Sequence, residues 1–378
     1  MKFGLFILGD HRDPSVSHKE RLDQFMEQVE LAESLGFDSV WFAEHHFTPY
    51  GLVGNTLTMA AAAAVRTERV RIGTGIVIVP FMHPLRLAEE ASMVDVLSGG
   101  RLDLGLGRGY QPVEFRTLGE NMEESQAKFD EALEVLDEAF AGKTFSHHGR
   151  HWSFDDVTVQ PRPVQEPLPF RIAAASPPTF ERLGRQRRRI LTSPNFTPSD
   201  LVKSLNEKYL SAYAAAGPLD LDDIEIPMLK QVFVHRDPAS ALSIPREYSL
   251  AYFRLLGHLI AEEGEEHKGY EMYSKTKRHL ETLTYEKLLA DGVVFGTPDE
   301  VTEKMVQHWR DLHINYFLAW FDFGGIPREQ ALSSIELFAR EVMPAVRSRA
   351  PGVSAATARV AEAGGGRPAE RRTEGVAG

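Results

Sequence analysis

Two histidines and a glutamate follow directly on an apolar run in the segment WFAEHHF, residues 41–47. Histidine changes its charge near neutral pH, so His45 or His46 is suited to donate or accept a proton. The pair can instead be polar residues at a strand end, or metal ligands. Metal binding is disfavoured because adjacent histidines do not readily share one ion, and the sequence contains no HExxH motif. The segment alone leaves the choice between a catalytic and a structural role open.

A glycine-rich stretch, GLGRGYQPVEF at residues 105–115, places Arg108 between two glycines. An arginine in that setting has room to hold an anion through two hydrogen bonds. The stretch lacks the Lys-Ser/Thr of a P-loop, and its glycines can equally serve to close a sheet tightly.

A second candidate anion site is AASPPTFERLG, residues 174–184. Ser176 stands where a helix N-cap would be, and the two prolines suit the first turn. Free N–H groups at this helix start, with the hydroxyls of Ser176 and Thr179, predict an anion site assisted by the helix dipole. An ordinary capped helix is the alternative.

Short apolar runs alternate with longer segments of helical periodicity. The predicted strands are residues 2–6, 38–44, 69–79, 101–109, 170–176, 188–193, 226–234 and 315–321, each followed by a helix. Eight strand–helix repeats predict an α/β fold, a (β/α)8 TIM barrel over residues 1–348, with its site at the carboxyl ends of the strands. Residues 236–297, polar and mostly helical in pattern, are predicted as an insertion before the last strands. A doubly wound open sheet fits less well, because no strand-linked dinucleotide fingerprint is present.

The composition excludes several classes of function. The 378 residues contain no cysteine, which rules out disulfides, thiol catalysis and zinc–thiolate sites. A net charge of −12 argues against a nucleic-acid or anionic-membrane surface. No run approaches the ~18 apolar residues of a membrane span, and the N-terminus lacks a signal-peptide core, so we expect a cytoplasmic protein. Residues 349–378, rich in Ala, Gly and Arg, are predicted to be a disordered tail.

Four motifs occur in an order that resembles one known family. AEHHFTPYG, the block IGTGIVIVPFMHPLRLAEEASMVDVLSGGRLDLGLGRGY, AASPPTFERLG and GTPDEV look like the bacterial luciferase-like flavin monooxygenases (LLM class flavin-dependent oxidoreductases). The resemblance covers residues 1–346 and is weak over residues 190–290. It implies a (β/α)8 barrel that is usually dimeric through the helices after strands two and three, here a homodimer.

For activity, the resemblance implies a two-component monooxygenase. A separate NAD(P)H:flavin reductase would deliver reduced FMN, O2 would react at flavin C4a to give a peroxyflavin, and an organic substrate would be oxygenated. By position, His45 matches the family's catalytic histidine and Glu44 its structural neighbour.

The same resemblance implies the flavin site. Arg108, Ser176 and Thr179 match contacts to the FMN phosphate, and Glu114 matches an acidic residue that supports flavin binding. The bond between residues 75 and 76 matches a non-proline cis peptide under the flavin ring. The predicted cofactor-binding set is Gly75, Ile76, Gly107, Arg108, Glu114, Ala175, Ser176 and Thr179.

Two positions depart from the light-emitting luciferases. Gly107 stands where those carry a cysteine near C4a, and Gln126 stands where they carry a second basic phosphate ligand, for which Lys128 is a candidate replacement. A small residue near C4a predicts room for a bulkier substrate, which favours an aromatic or polyketide natural product of secondary metabolism over a long-chain aldehyde or an alkane sulfonate. Candidate pocket residues, each of which can instead be core, are Phe6, Phe81, Trp320 and Phe321.

Three other functions stay open. A deazaflavin (F420)-dependent oxidoreductase on the same barrel would transfer hydride without O2. A non-catalytic flavin-binding partner subunit would be expected to lose His45 and the phosphate positions, which this chain keeps. A (β/α)8 hydrolase lacks support, because no paired-carboxylate or nucleophile motif is present.

Overall fold

The computed structural model of the protein describes residues 1–49, 51–194, 197–218, 220–221, 223–260, 270, 276–277, 280 and 282–365. Its strands are β1 Lys2–Ile7, β2 Ser39–Phe42, β3 Arg71–Thr74, β4 Val77–Ile78, β5 Leu102–Gly107, β6 Phe145–His148, β7 Ser153–Val157, β8 Phe170–Ala173, β9 Arg189–Leu191, β10 Pro227–Val234, β11 Val293–Gly296 and β12 Tyr316–Trp320. Strands β6 and β7 form a separate antiparallel hairpin, and the others form one sheet.

The large sheet is parallel and curled, and its edge strands are β11 and β9. Its order is β11-β10-β12-β1-β2-β3-β5-β8-β9, with β4 beside β5. Strand β10 pairs with two strands: its residues Pro227–Gln231 pair with β12, and its residues Gln231–Val234 pair with β11. Just past β9, the carbonyl of Thr192 accepts the N–H of Leu229 at 3.1 Å. The prediction of a closed barrel is therefore confirmed only in part. The fold is a curled parallel sheet, and in the described chain this hydrogen bond and one from the Thr192 hydroxyl to the Pro227 carbonyl at 2.6 Å join the end of β9 to β10 in place of a ladder.

The helices alternate with the strands as the sequence predicts. They are α1 His18–Ser34, α2 Thr56–Ala64, α3 Pro84–Ser98, α4 Pro112–Leu118, α5 Ser125–Phe140, α6 Pro177–Arg185, α7 Ser199–Ala215, α8 Pro238–Ser243, α9 Arg246–Leu259, α10 Tyr285–Lys287, α11 Pro298–Asp311, α12 Arg328–Leu337, α13 Met343–Arg349 and α14 Ala355–Ala363, with 3-10 turns at Val79–Phe81 and Met122–Glu124 and π-helical turns at Leu288–Gly292 and Phe338–Val342. Thr297 and Glu300 form a capping box that starts α11. In the part of the chain that the structure describes, no helix is long and apolar enough to cross a membrane.

Large side chains fill the interior of the sheet where glycine makes room for them. Trp41 on β2 is fully buried, and a β-carbon at Gly73 on the adjacent strand would lie 2.2 Å from its ring. The Trp41 indole donates to the Ser39 hydroxyl at 2.7 Å. At residue 73, the glycine of the IGTG segment therefore serves close packing.

A buried charge cluster closes the amino ends of the strands. Arg171 is 2% exposed and pairs with Glu225, whose carboxylate also bonds to Lys2. Burial alone would raise the pKa of Glu225, but Arg171 and Lys2 lower it to about 2. Because removal of one partner would leave a buried charge uncompensated, this cluster belongs to the stability of the fold.

Two parts of the structure differ from the sequence prediction. Residues 236–297 contain strand β11 as well as helices, because the apolar run VVFG pairs with the outer half of β10. The predicted tail, 349–378, begins with helix α14, which packs against α7. Ser354 caps this helix by accepting the N–H of Thr357 at 3.1 Å. The buried residues of the helix, Thr357 and Ala361, are small and lie about one helical turn apart. Residues 366–378 lie outside the described residues.

Candidate active site

A cavity of about 710 Å³ lies at the carboxyl ends of the parallel strands, where barrel enzymes place their sites. Its volume falls in the ~300–1,000 Å³ range of small-molecule sites. The predicted site residues that line it are Glu44, His45, Gly75, Ile76, Arg108, Ala175, Ser176 and Thr179. The two others, Gly107 and Glu114, are buried and do not line it. Most of the predicted residues are therefore brought together around one cavity.

His45 follows β2 and forms part of the cavity wall, with its side chain 8% exposed. Its Nδ1 lies 3.2 Å from Glu114 Oε1 and 3.1 Å from Gln111 Nε2. On the other side, its main-chain N–H donates to the carbonyl of Val53 at 3.1 Å. A β-carbon at Gly51 would lie 2.5 Å from Cβ of His45, so glycine at residue 51 lets the following loop pass over the histidine. The imidazole is thus packed between this loop and α4.

The side chain of His46 turns to a different carboxylate. Its Nε2 lies 3.2 Å from Glu44 Oε1, while its main-chain N–H donates to Glu114 Oε1 at 2.9 Å. The hydrogen bond with Glu44 raises the pKa of His46. Burial raises the pKa of Glu44, and His46 and the main chain of Ile78 partly offset that rise. Within the described ranges, no three His, Asp or Glu side chains are arranged to hold a metal ion.

Arg108, which follows β5, rests on an aromatic face. Its guanidinium carbon lies 4.0 Å from the ring centroid of Tyr270, a cation–π contact. The Tyr270 hydroxyl is 2.8 Å from the Ser125 hydroxyl, and the tyrosine is 4% exposed. This buried platform orients a positive charge at the cavity wall, where it can bind an anion.

The start of helix α6 presents hydroxyl groups to the cavity rather than a row of N–H groups. Ser176 is the N-cap residue, yet its hydroxyl makes no capping bond and lies 2.8 Å from the Thr179 hydroxyl. Pro177 and Pro178 have no N–H, and the N–H of Thr179 donates to the Ser176 carbonyl at 3.0 Å. The expectation of several free N–H groups here was therefore wrong, and the paired hydroxyls are the polar groups that a ligand would meet.

The cation that accompanies Arg108 at the cavity wall is not the predicted one. Lys128 pairs with Glu120 and does not line the cavity. Arg182 on α6 does line it. Arg182 Nη1 and Gln126 Nε2 each lie 2.9 Å from an oxygen of Asp130. The carboxylate therefore holds the arginine and the glutamine side by side.

The peptide bond between Gly75 and Ile76 is cis, as the resemblance implies. The Ile76 side chain lines the cavity and covers Gly107, since a β-carbon at residue 107 would lie 2.1 Å from Ile76 Cδ1. The expectation that Gly107 leaves room for a bulkier substrate was wrong, because Ile76 occupies that room.

Another part of the cavity wall is aromatic. The ring of Trp320, 1% exposed, lies 4.6 Å from that of Tyr252 and 6.4 Å from that of Phe6. Tyr252 belongs to α9, so the segment after β10 covers part of the cavity. Phe6 and Trp320 line the cavity as expected, whereas Phe81 and Phe321 do not.

The comparison with known proteins decides the family. Residues 1–316 match the family of luciferase-like monooxygenases. The chain belongs to that family. The predicted resemblance is confirmed, and the cavity described above is the candidate active site of a luciferase-like monooxygenase.

Relatives of this luciferase-like monooxygenase include an oxygenase component. The chain is 26% identical to the oxygenase component of flavin-dependent trigonelline monooxygenase from Acinetobacter baylyi over 349 residues, 91% of this chain and 95% of that protein. The solved structure of monooxygenase RslO1 from Streptomyces bottropensis matches with a TM-score of 0.77 and 30% identity, over 91% of this chain and 99% of that one. An F420-dependent secondary alcohol dehydrogenase has the same fold, with a TM-score of 0.70 and 19% identity over 92% and 99% of the two chains.

Sequence reasoning missed four residues of this luciferase-like monooxygenase site. They are Gln111, Arg182, Tyr252 and Tyr270. Gln111 and Arg182 lie within the motifs GLGRGYQPVEF and AASPPTFERLG, so the motifs located them but gave no sign of their contacts. Tyr252 and Tyr270 lie in the stretch where the resemblance is weak, and no pattern in the sequence marks them.

Proposed function

We propose that this protein is the oxygenase component of a two-component monooxygenase that uses reduced FMN and O2. One observation carries the proposal. A single cavity combines a buried histidine, two arginines, a pair of hydroxyl groups and an aromatic wall. Membership of the luciferase-like monooxygenases and the likeness to a protein named as an oxygenase component support it.

The residues around the cavity fit a flavin mononucleotide. Arg108 and Arg182 offer guanidinium groups, and the hydroxyls of Ser176 and Thr179 add donors, a set suited to a phosphate group. At Gly75 the wall is bare main chain, where a flat ring system can approach closely. When bound there, reduced FMN supplies the two electrons and the reactive carbon needed to activate O2.

The chain's own residues perform the remaining tasks. The arginines and hydroxyls hold the phosphate and so fix the distance of the ring system from His45. His45, held through Nδ1, exchanges a proton with the reacting molecule. The aromatic wall excludes water, which keeps activated oxygen from being wasted. Of the two oxygen atoms of O2, one enters the substrate and the other leaves as water.

The wall formed by Phe6, Tyr252 and Trp320 favours a neutral, apolar substrate with a flat or ringed part. An aromatic or polyketide compound fits this wall better than an alkane sulfonate, because the arginines that line the cavity are already assigned to the phosphate. A long-chain aldehyde is the second candidate. This preference rests on the aromatic wall and not on Gly107.

The partner that we propose is an NAD(P)H:flavin reductase, because a relative of this chain is named as the oxygenase component of a flavin-dependent monooxygenase. We further propose a cytoplasmic homodimer formed through α2 and α3. Large apolar side chains are exposed on and next to these helices, namely Val65, Met93, Val96 and Leu97. Such a patch is typical of a protein interface.

A hydride-transferring F420 enzyme is the alternative, because that chemistry occurs on the same fold. Anaerobic titration with reduced FMN, then rapid mixing with O2 while absorbance is recorded, tests the two functions. We expect tight binding and a transient spectrum that differs from those of reduced and oxidised flavin. Binding of F420 alone, with no O2 consumption, would contradict the proposal.

The control is His45→Gln. It should bind reduced FMN like the native protein while forming less oxygenated product per O2 consumed, which is measured with isotopically labelled O2. Native product yield in this variant would remove His45 from the proposed mechanism.

A further inference from the structure

Nδ1 of His45 lies within hydrogen-bond distance of one group that accepts hydrogen bonds and of another that donates them. The carboxylate of Glu114, 3.2 Å away, accepts hydrogen bonds and donates none. The Gln111 amide nitrogen, 3.1 Å away, donates and does not accept. A single ring nitrogen cannot donate to the first and accept from the second at once, so one of the two assignments has to change.

Two further observations show which one. Glu114 Oε1 already accepts the main-chain N–H of His46 at 2.9 Å, so it serves as an acceptor. Gln111 Oε1, in turn, is buried and has no partner among the described residues. The oxygen and nitrogen of a side-chain amide are nearly indistinguishable in shape. If the oxygen and nitrogen of the Gln111 side-chain amide exchange places, the oxygen lies next to Nδ1. Nδ1 can then donate to both Glu114 and Gln111.

Both side chains lie outside the cavity wall and have no exposed surface. Gln111 is the N-cap residue of α4, yet its side chain makes no capping bond. Glu114 is one turn further along the same helix. Helix α4 therefore carries two polar side chains whose shared contact is the histidine ring, an arrangement that resembles the orienting carboxylate of a catalytic triad.

We propose that Glu114 and Gln111 are positioning residues for His45. Glu114 holds the ring proton on Nδ1, and Gln111 accepts from the same N–H through its amide oxygen. Nε2 is then the nitrogen that takes a proton from a molecule in the cavity, and Glu114 stabilises the imidazolium that forms. The catalytic meaning rests on the proposed oxygenase function, but the proton position does not.

The test is the nitrogen-15 spectrum of the full chain labelled at histidine, recorded without flavin. The His45 signals are identified by their loss in His45→Gln or His45→Asn. In the neutral ring we expect Nδ1 to carry the proton. A native spectrum in which Nε2 carries it would overturn the proposal, and this measurement needs no variant at Glu114.

Paired variants separate the two roles. Glu114→Gln should move the proton to Nε2, whereas Gln111→Met should leave it on Nδ1. Glu120→Gln, which removes a carboxylate that pairs with Lys128, should not change the His45 signals. The proposal fails if Gln111→Met moves the proton and Glu114→Gln does not.

Product formation supplies the second readout. Glu114→Gln should lower the rate by about 10-fold or more, as expected for loss of a hydrogen bond to a charged group. Glu114→Asp should recover part of the loss. If the spectra agree with the proposal but the native enzyme consumes no O2, the oxygenase function fails and the positioning role stands.

Discussion

The δ-methyl group of Ile76 fills the place beside Gly107 that a β-carbon at residue 107 would need. The two positions are separated by 2.1 Å, much less than a van der Waals contact. Any side chain at residue 107 would therefore collide with Ile76 unless Ile76 moved. The two residues are packed together at the cavity wall.

Gly107→Ala should therefore push the Ile76 side chain into the cavity. We expect a loss of about 1–3 kcal/mol in the free energy of unfolding, as for other overpacked sites, and weaker binding of reduced FMN. Adding Ile76→Val removes the 2.1 Å contact and leaves one at 3.0 Å, so the double variant should regain much of both losses. Denaturant unfolding and flavin titration of the two single variants and the double variant measure the coupling. Additive effects would show that the two side chains do not compete for space.

The arginine on α6 should matter for the flavin phosphate, and the nearby lysine should not. Arg182→Gln is expected to weaken binding of reduced FMN by about 10-fold or more, because a hydrogen bond to a charged group is lost. Lys128→Gln is the matched control, since Lys128 pairs with Glu120 away from the cavity. Reduced riboflavin lacks the phosphate and should bind both variants equally well. Equal losses for FMN and riboflavin would mean that Arg182 acts through the fold instead.

The loop after His45 depends on a glycine at one position and not at another. A β-carbon at Gly51 would lie 2.5 Å from Cβ of His45, whereas one at Gly54 would lie 3.6 Å from Nδ1 of His46, an ordinary van der Waals distance. Gly51→Ala should displace His45 and lower the yield of product per O2 consumed. Gly54→Ala should leave that yield unchanged. Yields that fall equally in both variants would contradict a specific contact with His45.

The pair formed by His46 and Glu44 should make stability fall as pH rises. The pKa of His46 is raised above 6.5 by its hydrogen bond with Glu44, so its contribution is complete below pH 6.5 and is lost as pH rises through the folded-state pKa. The raised pKa of the buried Glu44 acts with the same sign. His46→Gln should flatten the difference in melting temperature between about pH 5 and 8, and an unchanged slope would assign it to other groups.

The large elements could be predicted because their signals are local. Apolar runs and helical periodicity located the strands of the sheet, and the rule that sites form at strand ends placed His45, Arg108 and Ser176 on one side of it. Strand β11 escaped because a four-residue apolar run within a polar segment has no distinctive pattern. Helix α14 was not predicted because each of its small residues buries little surface. The composition of the segment therefore gives only a weak indication that it packs on α7.

Details of the site could not be predicted, because they depend on distances between segments far apart in the chain. Lys128 is closer to Gln126 in sequence, yet Arg182 is the cation that shares Asp130 with it. The room beside Gly107 depends on where the side chain of Ile76 points. Composition and spacing carry no information on either point.

The junction between β9 and β10 differs from the other strand pairs around the cavity. From β1 through to β9, unbroken ladders fix the spacing of the strands that precede Arg108 and Ser176. Among the described residues, the gap between β9 and β10 is spanned by a main-chain hydrogen bond between Thr192 and Leu229, which both line the cavity, and by a bond from the Thr192 hydroxyl to the Pro227 carbonyl at 2.6 Å. We expect substitutions at this junction to change the width of the cavity more than substitutions beside the ladders do, because fewer hydrogen bonds fix the spacing of the two strands there.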